Sequence, residues 1–202
     1  SDGLTGRELY KYDGTSITLL EDLNLGSGSS DPDFLIVFQS NLYFRANKSA
    51  TGSELFKYDG SSISLAQDIY PGTLSGDPEN LMVHDSLIYM NAWSDSEGEE
   101  LWKYNGDTAV LVDDIKPGAG SSDPAFITSS VTDIYFAADD GVNGRELWKY
   151  DGTTAILVAD VNPGSGSSNL SYIKAVGSDI YFKADDGTHG LELWKYDGLA
   201  HT

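Results

Sequence analysis

Cysteine is absent from the 202-residue chain. That excludes disulfides, thiolate metal sites and cysteine nucleophiles. Histidine is scarce: His84, His189 and His201 are the whole set, and no two stand at metal-ligand spacing. Positive charge is scarce too, with 12 Lys and Arg against 32 Asp and Glu and a formal charge of −20. Such a surface repels phosphate, so nucleic acid is excluded as a partner. An anionic membrane surface is excluded on the same ground. No apolar run approaches the roughly 20 residues of a membrane helix, so no membrane insertion is expected. No long segment carries a helical period, which predicts almost no helix. The chain opens at Ser1 with neither an initiator Met nor a signal peptide, as expected of a processed form or an excised piece. What is present, 40% hydrophobic and 11% aromatic residues, is enough to bury a core.

The dominant feature is an internal repeat. Glu-Leu-aromatic-Lys-Tyr begins at Glu8, Glu54, Glu100, Glu146 and Glu192, each 46 residues after the last. Tyr43, Tyr89, Tyr135 and Tyr181 keep the same step, as do Ala46, Ala92, Ala138 and Ala184. So do Asp22, Asp68, Asp114 and Asp160. A period of this length, rich in short strands, points to the blades of an all-β propeller. One repeat shows four strand-like runs, at 34–38, 42–46, 54–58 and 63–69, here named a, b, c and d from the channel outward. The inner run is apolar at 34–38 but mixed at 126–130 and 172–176, which suits a solvated central channel.

Counted along the chain, the runs are c and d, three full sets of four, then a, b and c. The expectation is a single domain over 1–202 with four blades beginning near 34, 80, 126 and 172. Residues 8–23 would complete the last blade, with strand d (17–23) closing the ring by strand exchange and hiding the sheet edges. One copy of strand c, 8–12 or 192–196, is then spare. A ring of five blades, two of them incomplete, is the alternative.

Glu146-Leu-Trp-Lys-Tyr-Asp-Gly-Thr153 resembles the ELWxxDGT repeat of large secreted bacterial proteins. Ile134–Gly141 and Asp160–Ser168 fit the same pattern. The chain departs from it in lacking extra residues after Asp-Gly-Thr, and in Tyr10 and Phe56 replacing Trp. The resemblance covers nearly the whole chain and implies a secreted, extracellular, repeat-built β protein with no assigned chemistry. Repeat length and strand order are also similar to tachylectin-type five-bladed propeller lectins, at the level of pattern.

Alternating strands send the long d–a and b–c loops to one face, where binding residues are expected. Asp139, Asp140, Asn143 and Glu146 put several oxygens close together beside Gly141 and Gly144, and Asp185, Asp186 and Glu192 repeat this. Calcium favours such oxygen-rich clusters, which makes Asp139, Asp140, Glu146, Asp185, Asp186 and Glu192 candidate Ca²⁺ ligands. Plain turn chemistry is the alternative. Glu persists in every copy while the Asp pair does not, which favours a structural role for Glu, such as accepting backbone N–H bonds. Carbohydrate is the second candidate ligand. Trp93, Asp140, Asn143 and His189 in b–c loops, with Ser121 and Asp123 nearby, offer an aromatic face and polar partners. Trp102, Trp148 and Trp194 are expected to pack between blades. The recurring Asp22, Asp68, Asp114 and Asp160 are expected to accept turn N–H groups.

Catalysis is poorly supported, and the enzyme alternative is a glycosidase working with two of the 32 Asp and Glu carboxylates. No Ser sits in a nucleophile elbow, and the Gly-Ser-Gly stretches precede no helix. Repeated equivalent sites suit multivalent binding. The expected function is an extracellular binding or adhesion module, a multivalent glycan-binding propeller lectin whose partner is a glycan or cell surface. The alternative is a self-assembly module that forms a homo-oligomer, filament or surface layer through its spare edge strand.

Overall fold

A computed structural model describes residues 5–199, and among them there is no helix. His201 lies outside the described residues. The strands form five antiparallel sheets that follow the repeat. The first holds β1 (Tyr10–Tyr12) and β2 (Ile17–Leu19). The second runs β3 (Asp33–Phe38), β4 (Asn41–Lys48), β5 (Gly52–Tyr58) and β6 (Ile63–Gln67). The third runs β7 (Glu79–His84), β8 (Leu87–Ser94), β9 (Gly98–Tyr104) and β10 (Ala109–Leu111). The fourth runs β11 (Ala125–Ser129), β12 (Ile134–Asp139), β13 (Arg145–Tyr150) and β14 (Ala155–Ala159). The fifth has three strands, β15 (Ser171–Val176), β16 (Asp179–Asp185) and β17 (Leu191–Tyr196).

The exchange expected for residues 17–23 is not the pairing observed among the described residues. β2 pairs with β1, Tyr10 opposite Leu19 and Tyr12 opposite Ile17, and the sheet of β15 has no fourth strand. The physical reason is local. Asp13 Oδ1 accepts the N–H groups of Thr15 and Ser16, each at 2.8 Å, and Tyr12 Oη donates to Gly14 O at 2.7 Å. The turn thus closes β1 onto β2 across a few residues, at little loop entropy. Asp59 and Asp151 build the same turn, with Tyr58 and Tyr150 donating to Gly60 O and Gly152 O. Backbone N–H donors hold the carboxyls of Asp13, Asp59 and Asp151 below the usual range.

The chain divides into two compact units. One comprises the described residues up to Ser94 together with Lys103–Val110; the other comprises Asp95–Trp102 and the described residues from Leu111 on. In the first, Leu9, Leu23, Phe44, Ala46 and Phe56 form a core between the sheets of β1 and β3. In the second, Tyr135, Ala137 and Leu147 pack with Ile173, Ile180 and Phe182 from the sheet of β15. Trp148 is buried and Trp194 packs against this cluster.

Every inner strand is irregular at its start. Phe34, Asn80, Phe126 and Tyr172 have φ of 52°, 53°, 56° and 57°. Each falls inside a break in register with the next strand. These are β-bulges, which bend the strand and re-aim one side chain.

Candidate functional site

The recurring Glu is the organising group of each repeat. Glu146 Oε2 accepts Val161 N–H and Oε1 accepts Ser168 N–H, both at 2.9 Å. Glu54 takes Ile69 and Gly76 N–H, Glu100 takes Ile115 and Ser122 N–H, and Glu8 takes Leu23 and Ser30 N–H. One carboxylate on strand c therefore ties down both ends of the turn that follows strand d. This is the structural role expected for Glu. A second clamp runs beside it: Ser29, Ser75, Ser121 and Ser167 Oγ each accept a backbone N–H at 3.0 Å, from Arg7, Ser53, Glu99 and Arg145. Ser121 is thus a loop fastener. Asp22 and Asp114 accept Gly26 and Gly118 N–H, the turn role expected of that ladder.

Burial pushes Glu54, Glu100 and Glu146 up to about 7 from 4.5. Between these values the folded chain holds more protons than the unfolded one, so stability falls as pH rises from 4.5 to 7 and levels off above. The −20 charge acts in the same direction, through self-repulsion. The melting temperature is therefore expected to be higher at pH 5 than at pH 8. Glu146→Gln removes one titrating group and should narrow that gap. A melting temperature that rises with pH across this window would contradict the assignment.

The loop carboxylates are engaged by protein donors. Asp139 binds Lys116 Nζ and Gly141 N–H, each at 2.8 Å. Burial pulls its pKa upward, but the ammonium and the N–H outweigh this and hold it below the usual range. Asp140 accepts Val142 N–H, Asn143 N–H and Asn143 Nδ2–H, the last at 2.7 Å. Asp185 takes Gly187 N–H, and Asp186 takes the N–H groups of Thr188 and His189 and the His189 ring at 2.7 Å. That ring holds the Asp186 carboxyl well below the usual range, and its own pKa is raised in return. Among the described residues no three His, Asp or Glu side chains gather into a group able to hold a metal ion. Asp139 and Asp140 bind different donors, Glu146 is turned into the core, and Glu192 is exposed. Asn143 and Asp140 are joined to each other, Asp123 is exposed, and Trp93 is half-buried, edge-on to Tyr70 with centroids 4.8 Å apart.

The structure brings together a pair the sequence did not single out. Phe126 and Tyr172, on the neighbouring inner strands β11 and β15, have ring centroids 6.3 Å apart. They are 42% and 71% exposed. Thr128 Oγ1 donates to Ile173 O at 2.9 Å and joins the two strands. A shallow hollow of about 130 Å³ lies here, lined by residues 126–128 and 172–174. Positive φ is rare for a bulky residue, and here it delivers two rings to solvent. The corresponding Phe34 instead lies under the Arg45 guanidinium, 4.8 Å from its centre, and Asn80 donates to Asn91.

No protein-family model matches the chain, and neither does any curated protein. Solved structures do. The β-propeller domain of the Trilobed protease from Pyrococcus furiosus, described as having an open velcro topology, matches with a TM-score of 0.54 at 11% identity. The match covers 93% of this chain and 58% of that one. The fold is β-propeller-like. A GH74 xyloglucanase from Xanthomonas campestris matches with a TM-score of 0.56 at 18% identity, over 96% of this chain and 34% of that one. The chain spans between a third and three-fifths of these neighbours, and likeness at such identities concerns the fold alone.

Proposed function

We propose that the chain is an extracellular binding or adhesion module, a β-propeller of 46-residue blades that takes neutral glycans where its long loops enter the inner strands. The observation that carries this is the ring pair of Phe126 and Tyr172. Holding a bulky residue at positive φ costs about 1–3 kcal/mol, and an exposed ring returns little of that through burial. A ligand that stacks on the rings accounts for both costs. Sugars fit: they offer an apolar C–H face to aromatic rings, and hydroxyls to polar neighbours such as Lys174 and Thr128. The −20 charge disfavours anionic ligands.

The test is a glycan array at neutral pH, with calcium and with chelator, followed by the variants Phe126→Gly and Tyr172→Gly. Glycine accepts the positive φ without strain. The double variant should lose no more than about 1 kcal/mol of unfolding free energy, the relieved strain offsetting glycine's entropy, yet lose glycan retention by about tenfold or more. Loss of binding in chelator would show that retention requires calcium. A blank array in both conditions, or full retention by the double variant, would sink this function.

A further inference from the structure

We infer that the second unit holds a further ligand site, between the sheets of β11 and β15 at the end away from Phe126 and Tyr172, and that it takes a small aromatic amine. A hollow of about 250 Å³ lies there, lined among others by Ser130, Asp133, Tyr135, Lys149, Tyr196 and Asp197. The repeat shows what this hollow lacks. Tyr135 and Tyr196 have ring centroids 6.2 Å apart. Their equivalents in the first unit, Tyr43 and Tyr104, are 5.7 Å apart. There a third ring completes the set: Phe38 is 3% exposed and lies edge-on to Tyr43, with centroids 5.7 Å apart. The residue equivalent to Phe38 is Ser130. Its hydroxyl is engaged within its own turn, donating to Asp133 O at 3.1 Å and accepting Asp133 N–H at 3.0 Å. The next position repeats the contrast. Gln39 reaches over Gly106, with Oε1 3.1 Å from where a Cβ would stand, whereas the equivalent Val131 is 80% exposed. The same two-tyrosine junction is packed in one unit and short of a ring in the other. Protein interiors are close-packed, and a void beside aromatic rings forfeits their contacts. A six-membered ring from outside restores them as Phe38 does.

The polar groups of the hollow select what that ring carries. Lys149 Nζ lies 3.6 Å from Asp133 Oδ2, so these two charges offset each other. Asp197 leaves the lining with an excess of negative charge, in a chain of charge −20. Burial, and then the Asp133 carboxylate, push Tyr135 up to about 12, so its hydroxyl stays protonated and its ring neutral. Neutral electron-rich rings beside surplus carboxylate attract an ammonium group and repel an anion. The site does not rest on the glycan reading, because residues 126–128 and 172–174 line a separate hollow.

The probe is benzylamine, charged at neutral pH, titrated against the whole chain by NMR beside neutral benzyl alcohol and anionic benzoate. Benzylamine should bind tightest and benzoate weakest, with roughly tenfold or more between them. Nuclear Overhauser contacts should run from the benzylamine ring to the rings of Tyr135 and Tyr196. Ser130→Phe copies the first unit and should weaken benzylamine binding about tenfold or more. Ser130→Ala loses the same turn hydrogen bonds but leaves the space open, and should bind as the native chain does. Melting curves establish that both variants fold; if Ser130→Phe does not, the Overhauser contacts decide. No saturable binding below about 10 mM, contacts to other residues only, tightest binding by benzoate, or undiminished binding by folded Ser130→Phe would each overturn the inference.

Discussion

Replacing Glu146 with Ala is expected to destabilise its unit by about 3–5 kcal/mol, while Glu192→Ala costs less than about 1 kcal/mol. The two residues hold the same place in identical Glu-Leu-Trp-Lys-Tyr motifs, so intrinsic strand preference cancels between them. The difference is what surrounds them. Glu146 is fully buried and accepts Val161 and Ser168 N–H. Its removal leaves two buried donors without an acceptor, each at about 1–3 kcal/mol, and a cavity besides. Glu192 is exposed, and water replaces whatever its carboxylate contacts. Urea titration followed by near-ultraviolet circular dichroism reads both variants. Equal losses at the two positions would mean that Glu146 does not act through the turn after strand d.

Gly144→Ala should be strongly destabilising in the second unit, and Gly190→Ala a mild change. Both glycines have positive φ, 72° and 77°, so both variants incur the same left-handed strain of about 1–2 kcal/mol. At Gly144 the added Cβ would lie 2.6 Å from Gly166 O, a backbone atom that cannot swing aside. The loop between β14 and β15 must move, and the Ser167 and Ser168 fastenings move with it. We expect an added loss of about 2 kcal/mol or more there. At Gly190 the Cβ enters open space. Thermal melting of the two variants side by side isolates the clash from the strain. A Gly144→Ala protein as stable as Gly190→Ala would show that this loop yields freely.

Much of the architecture was legible from residue types at fixed spacing. The turn of Tyr58, Asp59 and Gly60 is local chemistry, with a carboxylate accepting two N–H groups and a glycine at positive φ. The recurring Glu announced its structural role by persisting where its Asp neighbours did not. The loop residues Asp140, Asn143, Asp186 and His189 were placed in their loops, but they bind one another there. A string of residues does not show which partner an oxygen chooses. Phe126 and Tyr172 were missed because an aromatic in an inner strand normally signals packing. A signal was nevertheless present: Asn80 occupies the equivalent place, and Asp31, Asp77, Asp123 and Asn169 recur three residues earlier at positive φ. Asp and Asn are the non-glycine residues that most readily adopt it.

The sequence by itself determined the all-β class, the 46-residue repeat and the four strands of each full repeat, because short strand-like runs, turn residues and a recurring Glu are written at fixed spacing. The tertiary structure alone decided which strand completes which sheet. Edge pairing is made by backbone groups that every residue shares, and the strand-c motifs at 8–12 and 192–196 present nearly the same acceptor. Between two such edges side-chain chemistry scarcely discriminates. The short turn at Asp13 decides by proximity, pairing β2 with β1, while among the described residues the sheet of β17 has three strands.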